Sequence, residues 1–140
     1  MGFLSSSKYG RGGGDNIAAM TGKICVIGII LLIIDGFYIY TVKDRFEKQV
    51  IDVQRVIMKI RMEGVIACYI LLAVGLYYFI LRSRRSVVDA FVLGIIIYGV
   101  YDTTNFATLK KWSASFAIID TLWGGILFSA ATFAFYSLGL

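Results

Sequence analysis

The sequence predicts an all-α fold: a polytopic membrane protein built as a four-transmembrane-helix bundle, with a flexible Gly/Ser-rich N-terminal arm and a basic amphipathic connector. Three observations predict it. Four apolar runs, 24–40, 64–81, 87–101 and 116–138, each come near the ~20 residues that cross a hydrocarbon core. The chain is 59% hydrophobic, well above the roughly 45–50% of soluble domains. Finally, no stretch between the runs of this 140-residue chain is long enough for a soluble domain.

The first element is the arm, 1–21, rich in Ser and Gly and expected to be flexible. It does not read as a cleavable signal peptide. Lys8, Arg11 and Lys23 precede a run that is too long and lacks a small-residue cleavage site, so a signal anchor fits better. Gly2 to Ser6 matches the loose M-G-x-x-x-[ST] pattern of N-myristoylation, which does not decide whether Gly2 is acylated. The membrane domain then covers 22–140.

Helix one is expected at about 24–41, with Asp35 deep in its second half. The connector 43–63 carries six basic and four acidic residues. Its Val50, Val53, Ile57 and Ile60 recur at helical spacing, with Lys48, Asp52, Arg55 and Lys59 largely opposite. Such a helix either lies flat on a headgroup layer or prolongs a neighbouring span into water as a stalk. Helix two, about 64–81, ends in the tight turn Arg82-Ser83-Arg84-Arg85-Ser86. Helix three follows at about 87–105, and helix four at about 115–138.

Basic residues gather at the ends of the runs, where anionic headgroups would meet them. Lys43, Arg45, Lys48, Arg55 and Lys59 of the connector, Arg82, Arg84 and Arg85 of the turn, and Lys110, Lys111 and Trp112 before helix four are the expected interface residues. With four spans, six basic residues fall on the side of the N-terminus and eight on the other, so charge alone does not orient the chain. The acid-free arginine turn favours an N-terminus inside.

Composition also excludes functions. There is no histidine. The commonest general base and metal ligand is therefore missing, along with two-histidine metal motifs and Ser-His-Asp triads. Neither an enzyme nor a bound metal or cofactor is expected. Cys25 and Cys68 lie inside apolar runs with no metal or disulfide spacing, and read as packed free thiols. A nucleic-acid partner would need a basic face with stacking aromatics on a soluble fold, which the chain lacks. The expected partners are the lipid bilayer and either neighbouring structural proteins or further copies of the chain.

The chemistry is left to the few polar residues in the spans. Asp89 sits beside the arginine turn and is expected to pair with it. Asp35, Asp102 and Asp120 are costlier, since a charge at the bilayer centre costs about 2.5–3.5 kcal/mol on insertion scales. Tyr98, Tyr101, Asp102 and Asn105 share one face of helix three. In helix four, Thr121, Gly125 and Ser129 form a small-residue stripe for close helix packing. The short connector brings Asp102 and Asp120 to one membrane face, and Asp35 reaches the same face from helix one. These acids, with Tyr98, Tyr101 and Asn105, either lock the helix ends together or bind an ion, a proton or a headgroup.

The string Tyr98-Gly99-Val100-Tyr101-Asp102-Thr103-Thr104-Asn105-Phe106-Ala107-Thr108-Leu109-Lys110-Lys111-Trp112 resembles the signature of a family of small four-helix membrane proteins, catalogued as domain of unknown function 2177. Asp120-Thr121-Leu122-Trp123-Gly124 is similar to that family's D-x-x-W-G element, and Asp35 to the acid closing its first helix. The resemblance covers about 24–138. It implies a four-helix membrane bundle with Asp35, Tyr101, Asp102, Asn105 and Asp120 at a shared site, and no established activity. It also implies relatives in bacteria and large DNA viruses. The arm, the charged connector and the lack of proline depart from the bacterial look. They suit a structural protein of a viral internal membrane or capsid. The expected function is therefore an integral membrane scaffold. The alternative is a small oligomeric transporter or channel subunit that uses the intramembrane aspartates.

Overall fold

The computed structural model describes residues 13–54 and 60–140. Residues 1–12 of the arm, with the acylation pattern at Gly2, and Ile57, Arg55 and Lys59 of the connector lie outside the described residues. The described chain is all-helical: α1 (Gly13–Gln54), α2 (Met62–Leu76) with a π-helical turn (Tyr77–Leu81), α3 (Val87–Thr108) and α4 (Ala114–Ser137). Each span is long and apolar enough to cross a membrane, by length and composition.

The largest departure from the sequence reading is α1. It starts at Gly13, within the segment expected as a flexible arm, and runs to Gln54, well beyond 41. At 42 residues it is roughly 63 Å long, about twice the ~30 Å of a hydrocarbon core. Nothing in the sequence stops it after Thr41. There is no proline, and the opposite charges Lys43/Glu47 and Asp44/Lys48 sit four apart, a helix-supporting spacing. Of the two readings of the connector, residues 43–54 therefore take the stalk form, as a continuation of helix one.

The turns explain the other boundaries. Arg82 N–H donates to the Tyr77 carbonyl at 2.8 Å and Arg85 N–H to Ile80 at 2.9 Å, five residues back in each case. This widened π turn lets consecutive residues Ile80 and Leu81 both reach the core, 4% and 3% exposed. Arg84 closes the turn in the left-handed region, φ 50°. Ser86 then caps α3 by accepting the Asp89 N–H at 3.1 Å. Ser113 caps α4 by accepting from Phe116 at 3.2 Å. These hydroxyls satisfy donors that a helix start leaves open. Within the spans, Thr41, Thr103 and Ser137 donate to carbonyls four residues back, which satisfies these hydroxyls inside their own helices.

The tightest pair is α3 with α4. Gly94 lies against the Gly124 carbonyl, where any side chain would collide with backbone. Gly125 fits under Phe91 and Ile95, and Gly99 faces Thr121. Of the predicted packing stripe, Gly125 and Thr121 thus meet α3, whereas Ser129 donates to the Ile126 carbonyl of its own helix. α1 packs on α4, and α2 mainly on α1. Ile27, Leu31, Leu76, Leu127, Phe128 and Ala131 are fully buried at this junction. A groove of about 480 Å³ remains between α1 and α2, lined by apolar residues such as Leu32, Ile66 and Ile70. The outer faces of the spans are largely apolar, as lipid contact requires; Phe37, Leu71 and Phe133 are examples. Cys25 and Cys68, expected as packed thiols, instead lie exposed on these outer surfaces.

Candidate functional site

The polar centre of the bundle grows from two short patterns. Asp35 and Tyr38 lie three apart on α1, and Asp120 and Trp123 three apart on α4, so each pair shares one helix face. The two pairs interlock reciprocally. Trp123 Nε1–H donates to Asp35 Oδ1 at 2.8 Å. Tyr38 O–H donates to Asp120 Oδ1 at 3.0 Å. The two rings stack between these bonds, centroids 4.6 Å apart and 8° from parallel. Tyr69 of α2 donates to the second Asp35 oxygen, Oδ2. Asp35, 6% exposed, thereby joins three helices with both oxygens occupied. In an apolar surround this is the arrangement that offsets the cost of a buried carboxylate.

Asp102 is placed differently. It is fully buried at 0% exposure and lies beside Asp120 and Trp112. Yet neither of its oxygens has a hydrogen-bond partner among the described residues, and neither does Trp112 Nε1. The one ion pair among the described residues is Arg85–Asp89, on the far side of the bundle. Two neighbouring carboxyl groups with no cation at hand need a proton or a positive charge between them.

Of the other predicted cluster members, Tyr98 presses its ring against Gly124 and is half-buried. Asn105 is half-buried on the same helix face. Tyr101 is 49% exposed and meets Trp112 edge-on at 6.1 Å, so it stands at the rim. The lysines Lys110 and Lys111 are exposed and form no ion pair with the acids among the described residues.

Trp112 requires a correction. It was expected at the lipid interface, but it is 6% exposed. Phe46 and Phe116 enclose its indole, with Tyr101 on the edge. The enclosure exists because the stalk of α1 folds over the α3–α4 loop. Gln49 Oε1 accepts the Ser113 N–H at 2.7 Å. Arg45 Nη2 donates to Ser115 Oγ at 2.7 Å and lies 5.8 Å from the Phe116 ring centroid. Lys43 and Lys48 remain exposed on the stalk, as do Arg82, Arg84 and Arg85 at the opposite turn.

Sequence reasoning identified the acids but missed Tyr38, Tyr69 and Gln49, and gave Trp123 no role of its own. The signal for the clasp was the repeated Asp-x-x-aromatic spacing in two spans.

Among the described residues no group of three or more acidic or thiol side chains is arranged to hold a metal ion. The site is thus a satisfied clasp next to one unsatisfied carboxyl, at the membrane face where the stalk emerges. Comparison with curated proteins and with solved structures finds no match. The model of one family, described as predicted membrane protein (DUF2177), matches residues 21–137, and the chain belongs to that family.

Proposed function

We propose that the protein is a non-enzymatic membrane scaffold whose working part is the stalk of α1. The observation that carries this reading is the way the stalk is held. Gln49, Arg45 and Phe46 pin it to the α3–α4 loop, while Lys43, Asp44, Lys48 and Asp52 stay exposed. A helix clamped at its base and polar at its surface is a rigid post for a neighbouring protein. Its more specific form is an internal-membrane or capsid-associated component of a large DNA virus, which rests on the resemblance in sequence. Photo-crosslinkers placed at Lys48 and Asp52 in the native membrane test it. Recovery of a structural protein joined to the post supports the reading. Crosslinks to lipid and to copies of this chain alone overturn it.

A second reading is a proton- or cation-coupled transporter subunit, favoured by the unpartnered Asp102. It expects reconstituted flux that Asp102→Asn abolishes. Absence of proton and alkali-cation flux in the wild type removes it.

A further inference from the structure

The α2–α3 turn carries features that joining two helices does not require. Three arginines stand within four positions, all exposed. Arg85 is committed, with Nε 2.9 Å from Asp89 Oδ2. Neither Arg82 nor Arg84 pairs with an acidic side chain among the described residues. Each is seated on a tyrosine: Arg82 lies 4.1 Å from the Tyr78 ring centroid and Arg84 4.6 Å from that of Tyr136. A guanidinium resting on a ring by its face keeps its edge N–H donors free for a planar or tetrahedral oxyanion. Arg84 spends one of them, Nη1, on the Leu140 main-chain oxygen at 2.7 Å.

The backbone serves this seating. The π turn sends Tyr78 outward while Ile80 and Leu81 point in. Arg84 adopts φ 50°, a region that non-glycine residues enter at a cost. Tyr136 O–H holds that conformation by donating to the Arg85 carbonyl at 2.7 Å.

We propose that Arg82 and Arg84 form a binding site for the phosphate of an anionic phospholipid headgroup. Charge complementarity names the phosphate, and position names the lipid. The turn joins two spans, and directly beneath it Tyr78, Phe79 and Val88 are exposed and apolar, offering a bed for acyl chains. A free anion would use none of that surface. The site is independent of the stalk and of Asp102.

The test uses the full chain in phosphatidylcholine nanodiscs containing phosphatidylglycerol, with bound phosphatidylglycerol counted by native mass spectrometry. A cation near the surface favours an anionic lipid by about fivefold, so R82Q/R84Q is expected to weaken retention roughly twenty-five-fold. R82K/R84K keeps both charges and the fold, yet recovers only part, because an ammonium lacks the bidentate edge. K110Q/K111Q, on the other face, leaves retention unchanged. Three results overturn the proposal: unchanged retention in the glutamine pair, full retention in the lysine pair, or equal loss in K110Q/K111Q. Displacement of the lipid by inorganic phosphate alone would also overturn it, since the site would then be one for a free anion.

Discussion

Asp35 and Asp102 are the same side chain in the same bundle, and their surroundings set them opposite tasks. Asp35 accepts from Tyr69 and Trp123, so Asp35→Asn turns one acceptor towards a donor and strands it. The expected loss is about 1–3 kcal/mol, the usual cost of an unsatisfied buried group. Trp123→Phe keeps an aromatic against Tyr38 but removes one interhelical bond, for about 0.6–1.7 kcal/mol in a membrane protein. The two changes touch one contact and should be less than additive. Asp102 has no partner to lose, so Asp102→Asn is expected to leave stability unchanged or raise it. Unfolding midpoints in detergent check all three. A destabilisation by Asp102→Asn as large as that of Asp35→Asn would make Asp102 a second structural acid. The acids were legible in the sequence because a carboxylate in an apolar run is costly wherever it points. Tyr38 and Tyr69 were not, because membrane chains also use tyrosine at interfaces. Only the antiparallel pairing of α1 with α4 shows which tyrosine reaches which acid.

At the scale of elements, the close approach of α3 and α4 rests on Gly94 and Gly124. Gly94→Ala would place a methyl against the Gly124 backbone and force the helices apart, at about 1–3 kcal/mol for overpacking. Gly36 is an internal control. It is also a mid-helix glycine, but nothing lies within 4 Å of an added Cβ. There Gly36→Ala should be neutral or gain up to about 1 kcal/mol of helix propensity. Equal effects at the two positions, read from the same detergent unfolding curves, would mean that the α3–α4 contact is not glycine-dependent. The boundaries of α3 and α4 were readable to within three residues because serine caps and charged turns mark them. The ends of α1 were not. The eye stops a span where hydropathy falls, whereas a helix stops where backbone hydrogen bonding fails. Between Thr41 and Gln54 only the first happens. The cover over Trp112 was hidden for the same reason, since it exists only if α1 runs on far enough to bring Phe46 and Gln49 across the loop.

Across the whole molecule, the two polar ends are built unlike each other, and this bears on orientation. At one end Arg82, Arg84 and Arg85 crowd between two spans with Asp89 as the one acid paired there. At the other, α1 carries Lys43, Arg45 and Lys48 among Asp44, Glu47 and Asp52. From Thr41 to Gln54 the stalk extends about 20 Å beyond the span. Cations packed against the hydrocarbon resist translocation more than cations spread along a stalk, so the arginine turn should face the cytoplasm with the N-terminus. Single cysteines at Ser83 and Lys48, in a chain with Cys25 and Cys68 changed to serine, provide the measurement. With a membrane-impermeant maleimide on intact cells, Lys48→Cys is expected to label at once and Ser83→Cys only after permeabilisation. The reverse pattern would invert the protein but keep the bundle, the clasp and the stalk. Labelling of both from one side would be more serious. An even number of spans separates the N-terminus from the arginine turn, and an odd number separates the turn from the stalk. Same-side labelling would therefore mean that one of the four apolar helices does not cross the membrane.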